Sequence, residues 1–274
     1  MSEPHAGHFN ASDSSPGTAR EALQLPVRIA TFCNIELRRV VHDPWEIVTR
    51  IIQPVLWLLL YGETLNKFRI IPTGGLSYLT YLAPGIIAQS AIFVAIFYGI
   101  MLVWERDAGL LAKMLASPTP RSAIVSGKAF AAALRGLVQA TVILALSAIL
   151  GVGIIWNPLT ILAAAGFVVL GASFFACLSM VLAGLVRQRE RMMGIGQAIS
   201  MPLFFASNAL YPISAMPTPL QYVSQWNPMS YLVDALRGLL VGTPCNLLLD
   251  FGVLVLALAI MVTLASRLLM RLVR

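Results

Sequence analysis

The sequence predicts an all-α integral membrane protein with six transmembrane helices, and three observations carry that prediction. Of 274 residues, 58% are hydrophobic and only 11% charged, with a mean hydropathy of +0.80; soluble domains carry about 25% charged residues. The apolar residues fall in blocks of the length that crosses a hydrocarbon core, about 20 residues per helix. The basic residues, finally, sort to one side of those blocks.

Taken in order, residues 1–24, MSEPHAGHFNASDSSPGTAREALQ, are rich in Ser, Gly, Pro and Ala and have no apolar core. They do not read as a secretory signal, and a disordered cytoplasmic tail is expected. The transmembrane domain is expected over 25–274. Its leading segment, PVRIATFCNIELRRVVHD, has helical periodicity: Ile29, Ala30, Cys33, Leu37, Val40 and Val41 share one arc, and Arg28, Thr31, Asn34, Arg38, Arg39 and His42 the opposite one. That pattern predicts a helix lying in the interface with its basic face toward anionic headgroups, the alternative being a solvated helix packed on its own protein. Pro44 ends it and Trp45 anchors the turn into the membrane.

The spans are expected at about 47–65, 79–103, 129–155, 159–185, 194–210 and 247–270, the fifth being short. With both termini inside, sixteen Lys and Arg residues face the cytoplasm and three, Lys67, Arg69 and Arg237, lie outside. The positive-inside rule therefore orients the chain and supports an even number of spans. The net charge of +7 is a topology signal, and no nucleic-acid partner is expected. Pro54, Pro84 and Pro202 lie inside spans, where they free carbonyls. Gly166, Gly171 and Ala172 allow close helix approach, for internal packing or for a dimer seam.

Between the second and third spans, residues 104–128 read WERDAGLLAKMLASPTPRSAIVSGK. Leu110, Leu111, Met114 and Leu115 fall on one helical face, with Glu105, Arg106, Asp107 and Lys113 around them. Ser117-Pro118-Thr119-Pro120 stops the helix, since each proline removes a donor and restricts its predecessor. A short amphipathic helix at 105–116 is suited to being gripped by a partner; packing on its own protein is the other reading. Ser126-Gly127-Lys128 is not a phosphate-binding loop: the glycine five residues earlier and the following Ser or Thr are replaced by Ser122 and Ala129.

Between the fifth and sixth spans, residues 211–238 read YPISAMPTPLQYVSQWNPMSYLVDALRG. Pro212, Pro217, Pro219 and Pro228 cut this stretch into pieces carrying Tyr211, Tyr222, Trp226 and Tyr231, residues suited to a membrane interface. Non-helical backbone at membrane depth survives only where protein or water covers it, so a re-entrant helical hairpin over 211–240 is predicted, dipping into the outer leaflet. Asp234 and Arg237 share a helical face and could pair, tying the hairpin together. Glu63 is placed to pair with Lys67.

At this point the sequence resembles the permease subunits of ABC-2 type transporters, the group with drug-export, nodulation and polysaccharide-export members. Pro84-Gly85, the SPTPR…GK stretch from Ser117 to Lys128, YPISAMP at 211–217 and NPMSYLVDALRG at 227–238 carry the likeness, which spans nearly the whole chain. Tyr211 departs from the phenylalanine of many relatives. The resemblance implies a permease in a bacterial cytoplasmic membrane, paired with a second permease, identical or different, and with two copies of an ATP-binding subunit. It implies that Glu105, Arg106, Leu110, Leu111, Met114 and Leu115 belong to a coupling helix that docks on the ATPase. It also implies that the hairpin, with Tyr211, Pro212, Tyr222, Trp226, Asn227, Pro228, Tyr231, Asp234 and Arg237, shapes the exit for an amphipathic drug-like or lipid- or glycan-linked substrate.

Two other classes compete. An ion-coupled transporter or channel usually needs ionisable residues near the midplane; the span centres have none, Arg135 lying toward a cytoplasmic end and Asp250 toward an outer one. A membrane enzyme needs a nucleophile with a base, or a cluster of metal ligands. His5, His8 and His42 all precede the first span, and Cys33, Cys177 and Cys245 are far apart, so neither catalysis nor a cofactor is expected.

Overall fold

The computed structural model describes residues 52–62, 64, 73–116, 120–186 and 188–269. The tail at 1–24, the interfacial helix, Glu63, Lys67 and the Ser117-Pro118-Thr119 break lie outside the described residues. All regular structure among the described residues is helical.

Helix α1, Ile52–Gly62, ends in a wider π turn over Trp57–Gly62. Helix α2, Tyr78–Asp107, begins where Ser77 Oγ accepts the Thr80 N–H at 3.2 Å, satisfying a donor that a first turn leaves without a partner. It stops at Ala108-Gly109, and Gly109 takes φ +71°, a conformation that favours glycine. Helix α3, Leu110–Ala116, follows at once. Helix α4, Arg121–Ile149, starts behind Pro120, and Gly151 at φ +69° turns the chain out of it. Helix α5, Pro158–Leu185, is capped by Asn157 Oδ1, which accepts from the Leu159 N–H at 3.0 Å, with proline in the first turn. Helix α6, Arg189–Phe205, precedes a short 3-10 turn, Ile213–Ala215. Helices α7, Thr218–Trp226, and α8, Pro228–Val241, meet at Asn227, and α9, Leu247–Leu268, closes the described chain.

Among the described residues four helices, α2, α4, α5 and α9, are long and apolar enough to cross a membrane. Of the two remaining expected spans, the first is represented by the 11 residues of α1 and the fifth by the 17 of α6. The helices also depart from the apolar blocks at their ends. Helix α4 starts eight residues before the expected position 129, because nothing after Pro120 breaks the helix and the polar turns from Arg121 to Lys128 simply continue it. Glu105, Arg106 and Asp107 form the last turn of α2, and the glycine turn at 109 separates them from α3.

Helix α2 is the hub, touching α1, α3, α4, α5, α6 and α8. Its 30 residues make a rod of about 45 Å with two distinct ends. Close approach is bought by missing side chains: a Cβ at Gly85 would stand 2.5 Å from the carbonyl oxygen and 2.9 Å from the Cα of Ala209. Gly171, at the middle of α5, receives Leu232 of α8, and Ala172 is fully buried. Gly171 and Ala172 therefore serve internal packing, whereas a Cβ at Gly166 would meet nothing within 4 Å. Helix α8 thus packs against the midpoint of α5 through Leu232.

Candidate functional site

Glu105, Arg106, Leu110, Leu111, Met114 and Leu115 lie at the Asp107 end of α2, and Asp234 and Arg237 at its Tyr78 end. At the Asp107 end, Lys128 of α4 donates from Nζ to both carboxylate oxygens of Glu105, at 2.6 and 2.5 Å, and the two side chains are each 11% exposed. Leu111 of α3 is fully buried with Val103, Ile124 and Val125, while Met114 and Leu115 pack partly on the same cluster. Leu110 is 47% exposed, and Ala112, Lys113 and Ala116 also face outward. The four apolar residues of α3 thus divide, three inward and Leu110 outward. Arg106 donates from Nε and Nη2 to Asp107 at 2.9 and 2.7 Å.

At the Tyr78 end, residues 206–210 leave helical geometry while remaining buried. Buried carbonyls need donors, and three side chains supply them. Tyr78 donates to the Leu210 carbonyl and Tyr81 to the Asn208 carbonyl, each at 3.1 Å. Arg237, only 5% exposed, donates from Nη2 to the Asn208 carbonyl at 2.8 Å and to the Tyr81 carbonyl at 3.4 Å. The spacing of Asp234 and Arg237 suggested an ion pair, and their closest approach is 3.9 Å. Asp234 is held more tightly by Asn208, whose Nδ2 donates to it at 2.5 Å.

The junction of α7 and α8 has its own fastenings. Asn227 caps α8 by accepting from the Met229 N–H at 3.0 Å and donates from Nδ2 to the Leu203 carbonyl at 2.7 Å. That second bond crosses to α6, next to Pro202. Ser224 and Ser230 bond across this junction at 2.9 Å, and Tyr231 donates to the Gln225 carbonyl at 2.6 Å. Tyr211, behind Pro212, donates to the Phe205 carbonyl at 2.9 Å. Pro228 occupies the first turn of α8, where its missing N–H costs nothing. Tyr222 and Trp226 point away from all of this, and Trp226 is 87% exposed.

Reasoning from sequence missed Tyr78, Tyr81, Asn208 and Lys128. Tyr78 and Tyr81 are three apart at a helix start, a spacing that puts both hydroxyls on one face; that signal was available. Nothing in the local sequence marks Asn208, whose carbonyl accepts from a tyrosine hydroxyl brought in from 127 residues away. Among the described residues no three His, Cys, Asp or Glu side chains converge on a point that could hold a metal.

Long apolar helices and two polar fastenings at opposite ends of a central rod define a multi-pass membrane protein. Residues 28–241 match the family described as ABC-2 type transporter, and the chain belongs to that family. It is 29% identical over 212 residues to ycf38 of Cyanophora paradoxa, named as a transport permease, covering 75% of this chain and 70% of that protein. It is 28% identical over 228 residues to nodulation protein J of Rhizobium leguminosarum bv. viciae, covering 82% and 86%. The daunorubicin resistance ABC transporter permease protein DrrB1 of Streptomyces coeruleorubidus is 25% identical over 209 residues, covering 74% and 71%.

Proposed function

We propose that this protein is the permease subunit of an ABC exporter, moving an amphipathic drug-like or lipid- or glycan-linked substrate outward with energy from a separate ATP-binding subunit. The observation that carries the reading is α3, a short helix seated on the ends of α2 and α4 by Leu111 with Leu110 and Lys113 turned outward. In this reading Glu105, Arg106, Leu110, Leu111, Met114 and Leu115 make up the coupling unit: Leu111 holds it in place, and the outward residues meet the ATPase. The complex has two ATP-binding subunits and a second permease, in a bacterial cytoplasmic membrane, with six spans and both termini inside. The permease itself carries no nucleotide site.

The stretch from Tyr211 to Arg237 is read as a re-entrant hairpin at the outer exit. Support comes from the contact of Leu232 with Gly171 halfway along α5 and from the buried, non-helical backbone at 206–210, whose carbonyls take bonds from Tyr78, Tyr81 and Arg237. Irregular backbone covered by protein is what membrane depth permits. Tyr211, Pro212, Asn227, Pro228, Tyr231, Asp234 and Arg237 build the hairpin, and Tyr222 and Trp226 face the pathway. The names of the relatives, nodulation and daunorubicin resistance, fit an amphipathic cargo.

An ion-coupled transporter is the second reading, and Asp250 favours it: in the first turn of α9 it is 3% exposed, and its Oδ2 takes no hydrogen bond among the described residues. Purification from detergent-solubilised native membranes, followed by mass spectrometry and an ATPase assay, separates the two. A stoichiometric nucleotide-binding partner with vanadate-sensitive activity is expected, and a clean preparation lacking one overturns the exporter.

A further inference from the structure

We propose that the Glu105–Lys128 pair is a positioning clamp that makes the ends of α2 and α4 move as one body with α3. The proposal rests on the coupling reading above and adds the route by which a push on α3 leaves it. Helix α3 is joined to α2 through the chain itself, by the two-residue turn at Ala108-Gly109. At its other end residues 117–120 lead on into α4, and Leu111 shares one buried apolar cluster with Ile124 and Val125. An apolar seat is non-directional, so it resists separation and permits sliding.

The ion pair adds a directional constraint between α2 and α4. Both oxygens of Glu105 receive Lys128 Nζ at 2.6 and 2.5 Å, and at 11% exposure on each side water competes little for either charge. Separating the partners strands a charge in a poorly hydrated place, which is far costlier than breaking a surface pair. Glu105 lies one turn before the glycine turn into α3 and Lys128 two turns into α4, so the pair spans the two helices just beside α3. Lys128 therefore has its place in the Ser126-Gly127-Lys128 run without any phosphate: it carries displacement of α3 and α2 into α4.

The test is hydrogen exchange on the complete transporter with its ATP-binding subunit, nucleotide-free and vanadate-trapped. In the wild type, trapping is expected to change exchange at 110–116 and at 121–128 together. In Lys128→Met the change at 110–116 persists and the change at 121–128 is lost. The charge swap Glu105→Lys with Lys128→Glu restores it, whereas either single reversal does not. Should Lys128→Met fail to fold, Glu105→Gln, which retains a hydrogen-bond acceptor, carries the same comparison. A pair that only stabilises the fold lowers the melting temperature of the variants and leaves the two segments responding together, and that result overturns the clamp. A wild type whose segment 110–116 does not respond to trapping overturns the coupling reading first and the clamp with it.

Discussion

The guanidinium of Arg237 lies over the ring of Tyr81, 3.8 Å from its centre, and thereby joins α8 to the first turns of α2. A buried cation loses its hydration and must be compensated. Here the compensation comes from the ring face, from the carbonyls of Asn208 and Tyr81, and more distantly from Asp234 at 3.9 Å. Three pieces of chain far apart in sequence meet at one side chain. Helix α8 is therefore secured through Arg237, while Asn227 secures its first turn.

Replacing Arg237 by Met removes the donor to the Asn208 carbonyl and the partner of Asp234 together. Loss of one partner from a buried charged network costs about 3–5 kcal/mol, so a fall in melting temperature of roughly 6 °C or more is expected. Lys in its place retains the charge and loses the planar group that stacks on Tyr81 while reaching two carbonyls; Arg237→Lys is expected to recover less than half of the loss. Thermal denaturation of the purified protein in detergent checks both, and full recovery by Lys would show that charge alone matters.

At Gly85 the obstacle is backbone. The added Cβ of Gly85→Ala would meet the Ala209 oxygen and Cα at 2.5 and 2.9 Å, and neither can rotate away as a side chain does. Overpacking costs about 1–3 kcal/mol where side chains can yield, and the upper end or beyond is expected here. Gly166→Ala, where nothing lies within 4 Å, is expected to be neutral. Parallel melting curves of the two variants give the comparison.

The helical class and the four long spans were legible because they rest on composition and block length, which need no tertiary information. The start of α4 was not legible, because helix and apolar block are different things: the polar turns Arg121–Lys128 extend the helix beyond any hydropathy signal. The Asp234–Arg237 spacing placed both residues correctly on one face, yet the main partners of Arg237 are carbonyls at positions 81 and 208, and no periodicity reports contacts of that sequence separation. The division of α3 into Leu111 inward and Leu110 outward likewise depends on where α2 and α4 stand. Two adjacent leucines look alike in the sequence.

That division predicts opposite phenotypes for neighbouring residues. Leu111→Ala empties a fully buried site and is expected to cost about 2–5 kcal/mol, visible as a lowered melting temperature of the permease alone. Leu110→Asp alters an exposed position and is expected to change stability by no more than about 0.5 kcal/mol while abolishing co-purification of the ATP-binding subunit. Retained co-purification of Leu110→Asp would remove that residue from the docking surface.

The aromatic residues of 211–238 divide in the same way, Tyr231 bonded within the structure and Tyr222 and Trp226 exposed. Tyr231 spends its hydroxyl on the Gln225 carbonyl, so Tyr231→Phe leaves that carbonyl without its donor and is expected to cost about 1 kcal/mol of stability. Among the described residues Trp226 makes no comparable bond, and it is 87% exposed, so Trp226→Ala, alone or with Tyr222→Ala, is expected to leave the melting temperature and complex assembly unchanged. If these rings face the moving cargo, the same variants lower export from inverted or intact cells by removing the broadest apolar contact surface the hairpin presents. Assembly measured by co-purification and export measured by substrate efflux therefore respond independently. Efflux that survives loss of both rings, in a complex that assembles normally, would take Tyr222 and Trp226 out of the pathway and leave the hairpin a structural element.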